Sequence, residues 1–141
     1  MPSVTDFPAR GEVLSIDTDS IVFAPAGTNY QLRLEGTGYS GPLSSATEIF
    51  IRLQARKLWT VPSGGGFVQP LFGPPRIVQG RIKYLSDKEM VIRAGTHFIV
   101  SLPANADAYD LPRGELAVGS MVNVTALPGA VFEVPAALAA Q

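Results

Sequence analysis

The sequence predicts an all-β protein assembled from two copies of one small strand-rich unit, residues 11–70 and 80–135. Three observations lead there. Glycine and proline, at 14 and 12 of 141 residues, punctuate the chain into short strands rather than long helices. Apolar and polar residues alternate: Ile49, Ile51, Leu53 and Ala55 interleave with Phe50, Arg52, Gln54 and Arg56, the period of two of a half-buried strand. Matching blocks also recur in the same order in both halves, the mark of an internal duplication.

The match begins where residues 11–34 lie over 80–102 with a single gap. Ala26, Gly27 and Thr28 fall on Ala94, Gly95 and Thr96; Asn29 and His97 follow, each before an aromatic residue. Residues 41–51 then lie over 114–124, bringing Leu43, Ile49 and Ile51 onto Leu116, Val122 and Val124. Residues 61–70 over 127–135 close the match.

Each copy reads as about five strands. In the first they are expected at 11–16, 20–24, 29–35, a long one at 48–57 running toward Val61, and 67–70. In the second they are expected at 77–85, 89–94, 97–102, 120–126 and 130–134. Asp17, Thr18 and Asp19 stand where Ser86, Asp87 and Lys88 stand in the second copy, and such side chains bond their own backbone to tighten a hairpin. Gly27 and Gly95 supply a permissive backbone for the next turn.

An open sheet of such short strands cannot bury one apolar face alone, and closure removes its edges. The expected architecture is therefore two tandem small barrels, OB-like or SH3-like, packed together, with a single fused sandwich or barrel as the alternative. The corresponding division is an N-terminal arm at 1–10, a first repeat at 11–70, a Pro-rich connector at 71–79, a second repeat at 80–135 and a tail at 136–141. Pro74 and Pro75 stiffen the connector, and Phe67, Leu71 and Phe72 predict that its neighbourhood is partly buried. The tail, with its four alanines, is expected to fray or form a short helix.

Composition narrows function. The absence of cysteine excludes disulfides, thiolate metal sites and cysteine nucleophiles. The N-terminus has neither a basic start nor an apolar stretch, so a cytoplasmic location is expected, and no uncharged run is continuous enough for a membrane span. The Asn123, Val124, Thr125 triplet has the form of a glycosylation acceptor but is read as strand. A net charge of −1 gives no global attraction for nucleic acid or anionic lipid. The charge is nevertheless segregated: residues 1–35 carry two basic and five acidic side chains, residues 36–100 eight basic and three acidic.

The Gly36-x-Gly38-x-x-Gly41 pattern has the form of a dinucleotide loop but is followed by Pro42 and a β-rich stretch, so it reads as a loop. His97, the one histidine, reads as a turn residue equivalent to Asn29, with no further nitrogen or thiolate ligands to make a metal site. Asp17 and Asp19 read as turn residues, and Asp107 and Asp110 as solvated residues of the 103–113 loop.

The most suggestive cluster is Arg52, Gln54, Arg56, Lys57 and Trp59, followed by the glycine loop at 64–66, with Tyr109 as a further contact residue. Cations beside an aromatic on a barrel strand suit single-stranded nucleic acid; the plainer reading is a solvated face paired with acidic residues. The expectation is a non-enzymatic protein–protein interaction or assembly module, self-association included, without cofactor or metal. Single-stranded nucleic-acid binding through the cluster is the alternative.

Overall fold

A computed structural model describes residues 3–62, 64–111 and 115–135. The expectations for the tail, for Arg113 and for the match of Gly114 to Gly41 lie outside the described residues. Twelve strands follow in chain order: β1 (Ala9–Ile16), β2 (Ser20–Pro25), β3 (Gln31–Glu35), β4 (Ala46–Thr60), β5 (Phe67–Gln69), β6 (Phe72–Gly73), β7 (Ile77–Leu85), β8 (Glu89–Arg93), β9 (His97–Ser101), β10 (Tyr109–Asp110), β11 (Met121–Ala126) and β12 (Val131–Glu133). Two single-turn 3₁₀ helices, Val4–Asp6 and Ala106–Ala108, complete the described elements.

The chain is all-β, as its turn-rich alternation predicts, and its strands form a single mixed sheet that closes on itself. The pairings run β1–β2–β3–β12–β4 and return to β1; a second circuit runs β4–β11–β7–β8–β9 and returns to β4. β4 belongs to both. Its start pairs with β1, its middle with β12 on one edge and β9 on the other, and its end with β11 and β10. The halves are thus not consecutive self-contained units: β12, from the second half, closes the circuit of the first. Fifteen residues of half-apolar alternation make this possible, because such a strand is long enough to wall two compartments in succession.

The inward side chains of both circuits merge into one core. Phe23, Leu32 and Leu34 meet Ile49, Ile51 and Leu53 of β4, which continue through Leu58 to Ile82, Ile92, Phe98 and Val124. A smaller cluster lies outside the sheet, where Val4 and Phe7 cover Val91, Ile99, Phe50 and Tyr84. The N-terminal segment is fastened there by a capping box between Ser3 and Asp6.

The β1–β2 and β7–β8 hairpins share one register. Gly11 faces Pro25 with a bulge between Val13 and Ser15; Arg81 faces Arg93 with a bulge between Ile82 and Tyr84, 69 residues on. Glycine recurs at 11 and 80 for a steric reason: a Cβ would stand 2.2 Å from the Ala24 oxygen or 2.1 Å from the Arg93 oxygen. The hairpin turns behave as expected, with Asp17 N–H donating to Ser20 O and Ser86 N–H to Glu89 O. Gly27 and Gly95 have φ of 75° and 84°, the left-handed region a side chain resists.

Four expectations are corrected. The closing match of 61–70 to 127–135 fails, because β5 pairs with β7 whereas β12 pairs with β3 and β4. Beyond the second turn, Ile21 faces Leu34 and Met90 faces Val100, so the ladder equivalent of His97 is Gln31, not Asn29. The strand expected at 97–102 is β9, and His97 opens it. In the next block Gly11 faces Thr47 and Gly80 faces Val122, two residues from the expected match of Ile49 to Val122. Finally, Leu71 and Phe72 are 47% and 64% exposed rather than buried, because β6 meets β3 through its backbone at the rim. Phe67 alone of the three is half-buried.

Candidate functional site

The expected cluster occupies the outer face of β4. Ile49, Ile51, Leu53 and Ala55 point inward; Arg52, Gln54 and Arg56 therefore point outward. A bulge opposite Thr125 and Ala126 then shifts the phase, so Leu58 and Thr60 become the inward residues and Lys57 joins Arg56 outside. Two consecutive cations thus share one face. Arg56 and Lys57 are exposed and Trp59 is half-buried.

Arg52 is already engaged. Its Nε donates to Glu133 Oε1 at 2.8 Å and its Nη1 to Glu89 Oε2 at 3.1 Å, so one guanidinium ties β4 to β12 and β8. Burial opposes its charge, but the bonds and fields of Glu133 and then Glu89 outweigh it, and its pKa lies above the ordinary value. With Gln54 it lines an open groove of about 260 Å3 beside Ser101, Pro128 and Val131. Tyr109 lies beside Leu58 in the parallel β10–β4 pairing, where its hydroxyl donates to Pro103 O at 2.7 Å and burial raises its pKa. Asp110, opposite Trp59, brings a carboxylate to that neighbourhood.

A second cationic surface, not singled out from the sequence, lies on the outer face of the other circuit. Met121 faces Arg81, Arg81 faces Arg93, and Arg93 faces His97, a row across β11, β7, β8 and β9. Lys83 is the bulge residue of β7 and points outward as well. Arg81, Lys83, Arg93 and Met121, with Gly64, Gly66 and Gly95, line an open groove of about 310 Å3. The glycine loop is fastened over the neighbouring row: Asn123 Nδ2 donates to Gln79 Oε1 at 3.0 Å, and Gln79 Nε2 to Gly65 O at 3.1 Å. Among the described residues, Arg81, Lys83 and Arg93 take part in no ion pair; Arg81 Nη1 donates to Gly119 O at 2.9 Å.

His97 closes one end of this surface. Its Nδ1 lies 3.1 Å from Pro8 O, its ring meets Phe7 edge-on at 5.4 Å, and an adjoining pocket holds Asp6, Arg10 and Arg93. Its pKa is lowered, first by burial and then by the charges of Arg93, Lys83 and Arg10, against the bond to Pro8. Arg10 itself pairs with Glu48 at 2.7 Å. Among the described residues no group of three or more His, Cys, Asp and Glu side chains converges as a metal site would require. The Gly36–Gly41 pattern is a loop, as expected, with Tyr39 tucked in and its hydroxyl donating to Pro42 O. Among the described residues no helix is long and apolar enough to cross a membrane.

No protein-family model, no curated protein and no solved structure matches this chain.

Proposed function

We propose that the chain is a non-enzymatic assembly module, a duplicated OB-like barrel that self-associates through the rim formed by Leu71 and Phe72. In this reading each copy supplies strands one to four of its own barrel and the fifth of the other: the far half of β4 serves the second barrel and β12 the first. The parallel contacts of β3 with β12 and of β9 with β4, and the shared bulge, support it. The observation that carries the function is the exposure of two adjacent large apolar side chains at the sheet rim, Phe72 on the two-residue strand β6 and Leu71 just before it, beside a groove lined by Pro70, Pro74 and Pro128. Such a patch loses hydration cost when a second surface covers it. Light scattering from micromolar to submillimolar concentration is expected to show a concentration-dependent rise in mass, which Phe72→Asp abolishes without changing the folded signal. A wild-type chain monomeric throughout overturns this reading.

A second reading, single-stranded nucleic-acid binding through Arg56, Lys57 and Trp59, is favoured by the β4 bulge that turns both cations outward next to the aromatic.

A further inference from the structure

We propose that the groove between Arg81, Lys83 and Arg93 is a phosphate-binding site. The placement of its charges is costly without an anion. Arg81 and Arg93 are directly opposed across an antiparallel pair, where like charges repel, and no carboxylate among the described residues pairs with either. Lys83 adds a third cation to the same groove, whose remaining lining is Met121 and three glycines, Gly64, Gly66 and Gly95, that bring no side chain into it.

The fold does not require these cations. The β1–β2 hairpin has the same register and the same bulge, and at the positions 69 residues earlier it carries Glu12, Leu14 and Ala24. Glu12 faces Ala24 where Arg81 faces Arg93. One hairpin is thus a control for the other, and at these three positions the positive charge belongs to the second alone.

Phosphate suits the groove better than a carboxylate. It brings up to two charges and three acceptor oxygens to three cations, and guanidinium groups bind it through paired N–H donors. Its source is either a free oligophosphate or the backbone of a single strand. The neighbouring row runs from half-buried Trp59 through Asn123 and Gln79 to half-buried Phe67, so an aromatic surface adjoins the cations on the same face.

The test is titration of the full chain with inorganic tripolyphosphate, a thymidine oligonucleotide and poly-glutamate, read by NMR and by the fluorescence of Trp59, the one tryptophan. Tripolyphosphate or the oligonucleotide is expected to shift the Arg81, Lys83 and Arg93 resonances and raise the pKa of His97. Affinity is expected to fall with added salt. Oligonucleotide binding without tripolyphosphate binding assigns the source to a nucleic-acid backbone, and tripolyphosphate binding of equal affinity assigns it to free phosphates. The triple variant Arg81→Glu, Lys83→Leu, Arg93→Ala transplants the first hairpin's residues and is expected to fold and to weaken binding at least about tenfold. The double variant Arg56→Ala, Lys57→Ala is expected to leave tripolyphosphate binding intact. Absence of binding to both phosphate probes overturns the proposal, as does binding unchanged in the triple variant. Poly-glutamate binding as tight as phosphate binding also overturns it, and places an acidic peptide there instead.

Discussion

His97 stands at a junction where a protonated ring is poorly tolerated. Its folded pKa lies below the ordinary 6.5, first because burial strips water from the charged form and then because Arg93, Lys83 and Arg10 repel it. Above 6.5 neither the folded nor the unfolded chain holds a proton there, so the residue contributes no pH dependence. As pH falls through 6.5 the unfolded chain protonates first, and stability is lost until the folded ring protonates too. Denaturation midpoints are therefore expected to decline as pH drops from about 7 to about 5, a range in which most carboxylates stay ionised. His97→Gln, which retains a donor for Pro8, is expected to flatten that decline. An equal slope in wild type and variant, measured by urea denaturation, would contradict this account.

At the scale of elements, the ten principal strands were legible because alternation and turn residues are local signals. β6 and β10 were not, since each is two residues of loop backbone recruited by a neighbour, β3 or β4. The matches between the two halves were legible to within a slip of two residues over their first four strands, whereas the closing match of 61–70 to 127–135 fails, since β5 pairs with β7 and β12 with β3 and β4. That slip is invisible in a pattern of period two: Leu32 and Leu34 match Phe98 and Val100 as buried pairs in the ladder register, and the sequence alignment keeps the same alternation. The outward face of Arg52, Gln54 and Arg56 was also legible, but the partners of Arg52 were not, because Glu89 and Glu133 arrive from strands 37 and 81 residues away. A usable signal for the second cationic surface did exist. Arg81 and Arg93 flank the turn at Ser86, Asp87 and Lys88, so a hairpin had to bring them close, and the bulge at Lys83 then sets them face to face.

For the whole molecule, the sharing of β4 makes the two circuits one cooperative unit. A chain cut within the connector, giving residues 1–70 and 71–141, leaves the first fragment without β12 and the second without β4. Each loses inward residues of the common core: Phe132 in one case, Leu53 and Leu58 in the other. Neither fragment is expected to show a cooperative thermal transition or dispersed amide resonances alone, whereas mixing them is expected to restore both. A sharp transition from either fragment by itself would show that the circuits are separable.

The return of β12 to the first circuit also sets an order of events during synthesis. β3 is made early, yet its parallel neighbour at Val131 emerges almost a hundred residues later, and until then Glu35 N–H lacks the Ala130 carbonyl it bonds in the finished protein. An elongating ribosome has to deliver the chain as far as Val131 before β1 to β3 can be sealed. Nascent β1 to β3 therefore stay open to other strand edges in the interval, and a chaperone has its longest opportunity at these three strands.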